Sequence, residues 1–166
     1  MNKEEKAIEV MLESIAKLEK SKDKLYEGYA RCYLIRFYLK RNQLEDANNE
    51  IAKVQEIERE DNLLLLKARL CGSKAQFNRK QFQVTKQIEC GNRAIHKHEN
   101  SINILLGIEC KPLLAEEYFQ LGLTYQAIGE QDQVEEYKAK ATELFAQMQA
   151  PKQIERVNKA FGGNIQ

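Results

Sequence analysis

The 166-residue chain contains no tryptophan, only two prolines and only two histidines. So few prolines leave long stretches free to form helix, because an internal proline removes a hydrogen bond and breaks the helix. His96 and His98 lie two positions apart on a predicted helix, so their side chains diverge and cannot bind one metal ion as an i, i+4 pair can. Glycine-rich phosphate loops and nucleophile motifs are also absent. The sequence therefore predicts no metal site, no cofactor and no enzymatic activity.

The chain also lacks an excess of charge of either sign, since it has 26 basic and 25 acidic residues and a formal net charge of +1. Such a balance argues against nucleic acid and against an anionic membrane surface as partners. No apolar run approaches the roughly 20 residues that span a bilayer. The charged start of the sequence also lacks the apolar segment of a secretory signal. We therefore expect a cytoplasmic protein.

The four cysteines include no close pair of the kind that binds zinc or forms a redox motif. Each falls in a helical apolar pattern, which predicts reduced and mostly buried thiols. The four are Cys32, Cys71, Cys90 and Cys110. A zinc site made of Cys90, His98 and Cys110 would require a helix to bend back on itself. His98 is better explained as a partly buried polar residue, and His96 as a solvent-facing one.

The clearest pattern lies in the stretch 114–151, which predicts two antiparallel helices joined at Gly129. Glycine suits this position because it adopts the left-handed conformation that ends many helices. Apolar residues recur at spacings of three and four on both sides of it, which places them on one face of each helix. Small residues at Gly122 and Ala141 would let the two helices approach closely. Fainter copies of the pattern occur twice upstream, so the sequence predicts a repeat.

This stretch contains an aromatic residue, a Leu-Gly pair, a tyrosine, a turn glycine and a small residue in a fixed order. They are Tyr118, Leu121, Gly122, Tyr125, Gly129 and Ala141. In this order they resemble the tetratricopeptide repeat, whose period is about 34 residues. The end of the chain is similar to a longer-period variety found C-terminal to ATPase, kinase or cyclase modules in large bacterial signalling proteins. The resemblance implies an all-α fold, a right-handed α-solenoid of antiparallel helix pairs, and a binding role rather than a reaction.

We expect one tetratricopeptide-like domain over 1–166, built from eight or nine helices. A helix over 1–20 resembles the second helix of a repeat whose first helix is missing, so it either caps the array or marks a cut from a longer one. Three repeats and a C-terminal capping helix follow, since repeat arrays need such a cap. Their predicted ranges are 25–59, 62–106, 112–149 and 151–161.

The repeats are unevenly spaced, and one long helix over about 80–106 would explain this. An apolar seam with alternating spacings of four and three runs along it. The seam consists of Val84, Ile88, Gly91, Ile95, His98, Ile102 and Leu105. At about 1.5 Å per residue the helix would be roughly 40 Å long and would extend beyond its neighbours. The alternative is a break near 98–101; in both interpretations Asn78 occupies the preceding turn.

In tetratricopeptide repeats the first helix of each pair lines a concave groove, so the resemblance assigns groove positions to this chain. The candidate partner-binding residues are Tyr29, Arg36, Lys40, Arg69, Ser73, Gln76, Phe119 and Gln126. Among them, Arg36, Lys40 and Arg69 would form a small basic patch. Such a patch can pair with acidic side chains or with the terminal carboxylate of a peptide.

The resulting functional prediction is a non-catalytic protein–protein interaction scaffold whose partner is a protein or a peptide. The resemblance also implies that the chain is a segment of a larger signalling protein. The alternative is a groove receptor for a short peptide or small ligand that switches conformation on binding. A homodimer formed through the unpaired N-terminal helix is a further possibility.

Overall fold

The computed structural model describes residues 3–61 and 63–162, and in this part of the chain every regular element is an α-helix. The predicted all-α class is therefore confirmed. The described residues form eight helices: α1 (Lys3–Ser21), α2 (Lys24–Lys40), α3 (Leu44–Asp61), α4 (Leu64–Thr85), α5 (Ile88–Gly107), α6 (Lys111–Ile128), α7 (Gln131–Gln147) and α8 (Pro151–Phe161). The predicted repeat ranges 25–59, 62–106 and 112–149 each span one of the pairs α2–α3, α4–α5 and α6–α7.

Several helix ends follow directly from the local sequence. Asp23 precedes α2, and its carboxylate accepts a hydrogen bond from the backbone N–H of Tyr26 at 3.3 Å, which satisfies one of the free donors at the helix start. Beyond the end of α2, Asn42 has a φ of 61°, and Gly129 at the end of α6 has a φ of 97°. Asparagine and glycine are the residues that best tolerate this left-handed conformation, and the sequence predicts a turn at both.

The helices pack as consecutive antiparallel pairs, and each pair contacts the next one. Helix α2 packs on α3, α4 on α5, and α6 on α7. Helix α2 also contacts α4, α4 contacts α6, and α6 contacts α8, so the even-numbered helices form a continuous layer. Helices α3, α5 and α7 each pack against the even helices before and after them, whereas α1 packs against α2. The right-handed superhelical sense of the stack stays a prediction.

Apolar side chains fill the stack in three clusters. The first joins α2, α3 and α4 and includes Ile35 and Val54. The second joins α4, α5 and α6 around Leu105 and Leu121, and the third joins α6, α7 and α8 around Val157. Each cluster thus belongs to one helix pair and the even helix that follows it, as expected for a fold stabilised by interactions between neighbouring units.

At three glycines, a side chain of the next even-numbered helix leaves no room for a Cβ atom. They are Gly28, Gly72 and Gly122. A Cβ atom at any of them would lie 2.7–2.8 Å from a side chain of the next even helix, which is closer than carbon atoms pack. The apolar spacing that we used to set the repeat register does not reveal Gly28, because its role depends on a neighbouring helix.

The predicted long helix over 80–106 is wrong. Helix α4 continues through Asn78 to Thr85, and Lys86 then adopts a left-handed φ of 59° before α5 begins. The alternative break near 98–101 is also wrong, because those residues lie inside α5. Val84 and Ile88 fit the spacing of the seam, but they are 56% and 48% exposed on either side of the true turn. Their spacing therefore carried no information about the core.

Candidate interaction groove

The layer of even-numbered helices contains an open cleft of about 520 Å³, to which α2, α4, α6 and α8 all contribute. Its charged lining consists of Arg36, Lys40, Arg79, Lys80, Glu116 and Arg156. Five basic side chains therefore face one carboxylate, and that carboxylate already accepts a hydrogen bond from Arg156. We call this cleft the basic groove. Its charge is not visible in the net charge of the chain, which is only +1.

Glutamines supply most of the remaining polar lining of the basic groove. They are Gln76, Gln83, Gln120 and Gln126. Each amide side chain offers both donors and an acceptor, which is the combination that pairs with the N–H and C=O groups of an extended peptide backbone. The groove thus combines groups suited to a peptide backbone with positive charge suited to acidic side chains.

A smaller cavity of about 20 Å³ adjoins the basic groove, and Arg36 lines both. Arg69, Ser73, Cys32 and Glu117 are among its other lining residues. This volume is about that required by one water molecule, so a single atom or water fits there rather than a whole side chain.

Aromatic rings lie beside the guanidinium groups of Arg36 and Arg69, the two arginines that line the small cavity. The guanidinium carbon of Arg69 lies 4.6 Å from the centre of the Tyr29 ring and 5.4 Å from that of Tyr33. The guanidinium carbon of Arg36 lies 5.8 Å from the centre of the same Tyr33 ring. Cation–π attraction at these distances stabilises the positions of both groups. The Nε atom of Arg69 is buried and has no hydrogen-bond acceptor in the part of the chain that the structure describes.

Arg79 connects α4 to α6 through neutral acceptors. Its Nη1 donates to the backbone carbonyl of Gln120 at 2.8 Å, and its Nη2 donates to the side-chain Oε1 of the same residue at 2.9 Å. The pKa of the Arg79 guanidinium is lowered to about 10, chiefly by burial; the charge of Glu117 opposes this shift, that of Arg36 adds to it, and that of Glu116 opposes it. The group therefore remains protonated at neutral pH although its environment disfavours the charge.

A buried polar network lies behind the groove and joins α5 to α6. The ring of His98 is fully buried, with Nε2 3.0 Å from the hydroxyl oxygen of Thr124 and Nδ1 2.6 Å from Oε1 of Glu117. The Thr124 hydroxyl also donates to the carbonyl of Gln120 at 3.1 Å. The same Gln120 carbonyl accepts from Arg79. A chain of hydrogen bonds thus connects the groove to the core.

The structure places six of the eight sequence-predicted residues on these two cavities. Arg36, Lys40, Gln76 and Gln126 line the basic groove, and Arg69 and Ser73 line the small cavity with Arg36. The other two are used in packing. Tyr29 contacts the first core cluster and lies beneath Arg69. Phe119 is buried against Phe161, and the Arg156 guanidinium covers its ring.

Sequence reasoning missed three of the five basic residues that line the groove. Arg79 and Lys80 were overlooked because Asn78 was assigned to a turn, which ended the predicted groove helix too early. Continuing the helix from Gln76 would have placed Gln83 on the same face by the spacing of three and four alone. Arg156 was missed because the C-terminal helix was interpreted only as a cap.

The other side chains that could bind a metal or act as nucleophiles are dispersed over the structure. Among the described residues, no group of three His, Cys, Asp or Glu side chains could hold a metal ion. His96 is exposed, as predicted, and His98 is more deeply buried than predicted. All four cysteines are free thiols, and burial raises the pKa of Cys32 to about 11. No helix of residues 3–61 and 63–162 is long and apolar enough to cross a membrane.

Comparison of the chain with protein-family models and with curated proteins gave no match. The tetratricopeptide resemblance therefore depends on the motif residues and remains a prediction about family. The function must be argued from the groove itself.

Proposed function

We propose that the chain is a non-catalytic protein-interaction module whose basic groove binds an extended, acidic segment of a partner protein. The observation that carries this proposal is the imbalance of charge in the groove, where five basic side chains accompany a single, already paired carboxylate. A groove receptor that switches conformation when it binds a short peptide or small ligand stays the alternative. That the chain is a segment of a larger signalling protein stays a prediction.

The chemistry of the groove supports an acidic partner. Guanidinium and ammonium groups recognise carboxylates through charge-assisted hydrogen bonds, and complementary charge gives both specificity and rapid association. The amides of Gln76, Gln83 and Gln126 can satisfy the backbone of an extended segment, as strand-like peptides require. The Gln120 amide is already engaged by Arg79 and Glu116. A cleft of about 520 Å³ also falls within the roughly 300–1,000 Å³ typical of ligand-binding clefts.

The proposal is tested by fluorescence polarisation of the full chain with two pools of random nine-residue peptides. One pool carries glutamate at alternate positions and the other carries lysine. We expect the acidic pool to bind more tightly, and its affinity to fall as salt is added, because salt screens exposed charge. Equal binding of the two pools, or binding of neither, would overturn the proposal.

The location of binding is tested by Lys80→Glu, which reverses a charge inside the groove. The matched control is Lys17→Glu, the same change at an exposed position of α1, outside the groove lining. We expect Lys80→Glu to weaken binding of the acidic pool by roughly tenfold, as loss and reversal of a charge-assisted contact would. The control should leave binding unchanged. Equal effects of both changes would place the binding surface elsewhere.

A further inference from the structure

We infer that three tyrosines preceding Arg36 on α2 form an apolar subsite, which receives one large apolar side chain of the acidic segment bound in the basic groove. We call these residues, Tyr26, Tyr29 and Tyr33, the tyrosine ledge. The inference rests on the proposed function and deepens it, because it states which kind of residue accompanies the acidic side chains of the partner.

The tyrosine ledge continues the basic groove along α2. Its residues precede Arg36 and Lys40 at alternating spacings of three and four, so all five lie in one stripe on the surface of the helix. Arg36 lines both the basic groove and the small cavity, and Tyr33 lines the small cavity with it. Tyr26 and Lys40 are about 21 Å apart along the axis of α2, a distance that about six residues of extended chain cover. One short segment can therefore contact both parts.

Two rings of the tyrosine ledge are exposed, and both are supported by neighbouring side chains. Tyr26 is 59% exposed and Tyr33 is 44% exposed. The Tyr26 ring meets the ring of Tyr29 edge to face, with 6.1 Å between their centres, and Tyr29 packs against the first core cluster. An apolar side chain that covers these rings removes apolar surface from water on both molecules, which favours binding.

Arg69 links the rings of the tyrosine ledge from the neighbouring helix α4. Its guanidinium carbon lies 4.6 Å from the centre of the Tyr29 ring and 5.4 Å from that of Tyr33. Cation–π attraction at these distances restricts both rings before any ligand binds, and this lowers the entropy lost on binding. Tyrosine and arginine are also the residue types enriched among those that contribute most to binding energy at interfaces.

The tyrosine ledge suits an aliphatic side chain better than a nucleic-acid base. Successive bases stack on free aromatic faces, whereas the Arg69 guanidinium already lies over the rings of Tyr29 and Tyr33. Leu113 of α6 lines the small cavity together with Tyr33 and adds aliphatic surface. A leucine-like side chain can pack against ring edges and aliphatic groups without needing a free planar face.

Three pools of nine-residue peptides test the inference by fluorescence polarisation of the full chain. All carry alternate glutamates in their central part and small polar residues elsewhere. One pool has leucine before the glutamates, one has leucine after them, and one has serine at both places. We expect at least one leucine pool to bind roughly tenfold more tightly than the serine pool, because a leucine side chain is buried on binding.

Salt separates the apolar contact from the charged ones. All affinities should fall as salt is added, but the ratio of leucine to serine binding should change little, because salt screens charges rather than apolar contacts. Equal binding of the three pools would overturn the inference and leave the proposed function standing. If no pool binds, both fail.

Variants locate the apolar contact. Tyr33→Ala should remove most of the preference for leucine, Tyr26→Ala should reduce it, and Tyr33→Phe should preserve it because the ring remains. The control is Leu12→Ala, which removes an apolar side chain of the same 44% exposure from α1 and should leave the preference unchanged. The serine pool is measured on every variant, which separates a general loss of groove binding from a loss of preference.

Two results with these variants would overturn the inference. The first is a preference for leucine that survives both Tyr26→Ala and Tyr33→Ala, or that Leu12→Ala reduces equally. The second comes from a short single-stranded RNA measured in parallel. Binding of this RNA as tight as that of the better leucine pool, and weakened equally by Tyr33→Ala, would assign the tyrosine ledge to bases instead.

Discussion

Arg31 and Arg36 lie five residues apart on α2, yet their surroundings are opposite. Arg31 is only 5% exposed, and it donates to Glu27 at 3.0 Å, to Glu50 at 2.7 Å and also to Glu19. These partners come from α2, α3 and α1, so one side chain ties three helices together. Arg36 faces the groove and has no carboxylate partner in the described part of the chain. Its guanidinium carbon lies 5.8 Å from the centre of the Tyr33 ring.

The difference separates a structural charge from a charge available for binding. A buried guanidinium is costly unless it is paired. Burial acts to lower the pKa of Arg31, but the hydrogen bonds that Arg31 donates to Glu50 and Glu27 outweigh it and raise the pKa above its ordinary value. A charge beside a water-filled groove needs no internal partner, because water solvates it until a ligand replaces the water. The pairing of each arginine, rather than its residue type, therefore indicates its role.

The largest effect is expected for Arg31→Met. Removing this guanidinium leaves Glu27 and Glu50 buried without their main partner, and breaking a buried pair in this way typically costs about 3–5 kcal/mol. Urea unfolding monitored by circular dichroism measures the change. The control is Arg59→Met, an exposed position on α3 where the free energy of unfolding should change by less than about 0.5 kcal/mol. A cost similar to the control would show that the Arg31 network is not structural.

A smaller effect is expected for Glu117→Gln, which tests the second buried network. The substitution keeps the shape of the side chain but removes the charge that binds His98 Nδ1 at 2.6 Å. The loss of one charged hydrogen bond in a buried site costs about 1.5–3 kcal/mol. Glu116→Gln, one residue earlier, removes the same charge at the groove surface and should cost less than about 1 kcal/mol. If the two substitutions cost the same, the buried network contributes nothing beyond a surface pair.

Arg69→Met should have an intermediate effect, since Arg69 has cation–π contacts but no carboxylate. Two rings lie within 5.4 Å of its guanidinium carbon, and losing these contacts should cost about 1 kcal/mol. Lys67→Met at an exposed position of the same helix is the control. The two urea midpoints give the comparison. A change above about 3 kcal/mol at Arg69 would place it with Arg31 among the structural arginines.

Much of the fold follows from local sequence, because helices depend on spacing and on a few terminal residues. The turns at Asn42 and Gly129 were predictable, since these residue types favour the left-handed backbone that each turn requires. The turn at Lys86 was not, because lysine has no such preference and exposed apolar residues on either side imitate a continuous helix. One misplaced turn was enough to shift the boundary between two helices.

Less of the groove could be predicted, because it is assembled by four helices. The resemblance placed Arg36 and Lys40 correctly on α2, but the misplaced turn removed Arg79 and Lys80 from the groove helix. The sequence does not show which charged side chains pair with one another. His98 and Glu117 are nineteen residues apart on different helices, and nothing local shows that they meet. Pairing with carboxylates is what distinguishes the structural Arg31 from Arg36 in the groove.

The smallest effect on stability is expected for Arg36→Gln, and this prediction is the sharpest test of the comparison. Because Arg36 pairs with no carboxylate and repels Arg79, its removal should change the free energy of unfolding by less than about 0.5 kcal/mol. Loss of the contact with Tyr33 opposes the relief of this repulsion. Because salt screens the repulsion, the variant should lose stability relative to the unsubstituted chain as salt is added. Urea unfolding of Arg36→Gln at low and high salt measures the size of the change and its salt dependence. Arg31→Met is measured alongside for comparison. A loss of stability close to that of Arg31→Met would mean that Arg36 holds the fold together and is not one of the groove charges available for binding.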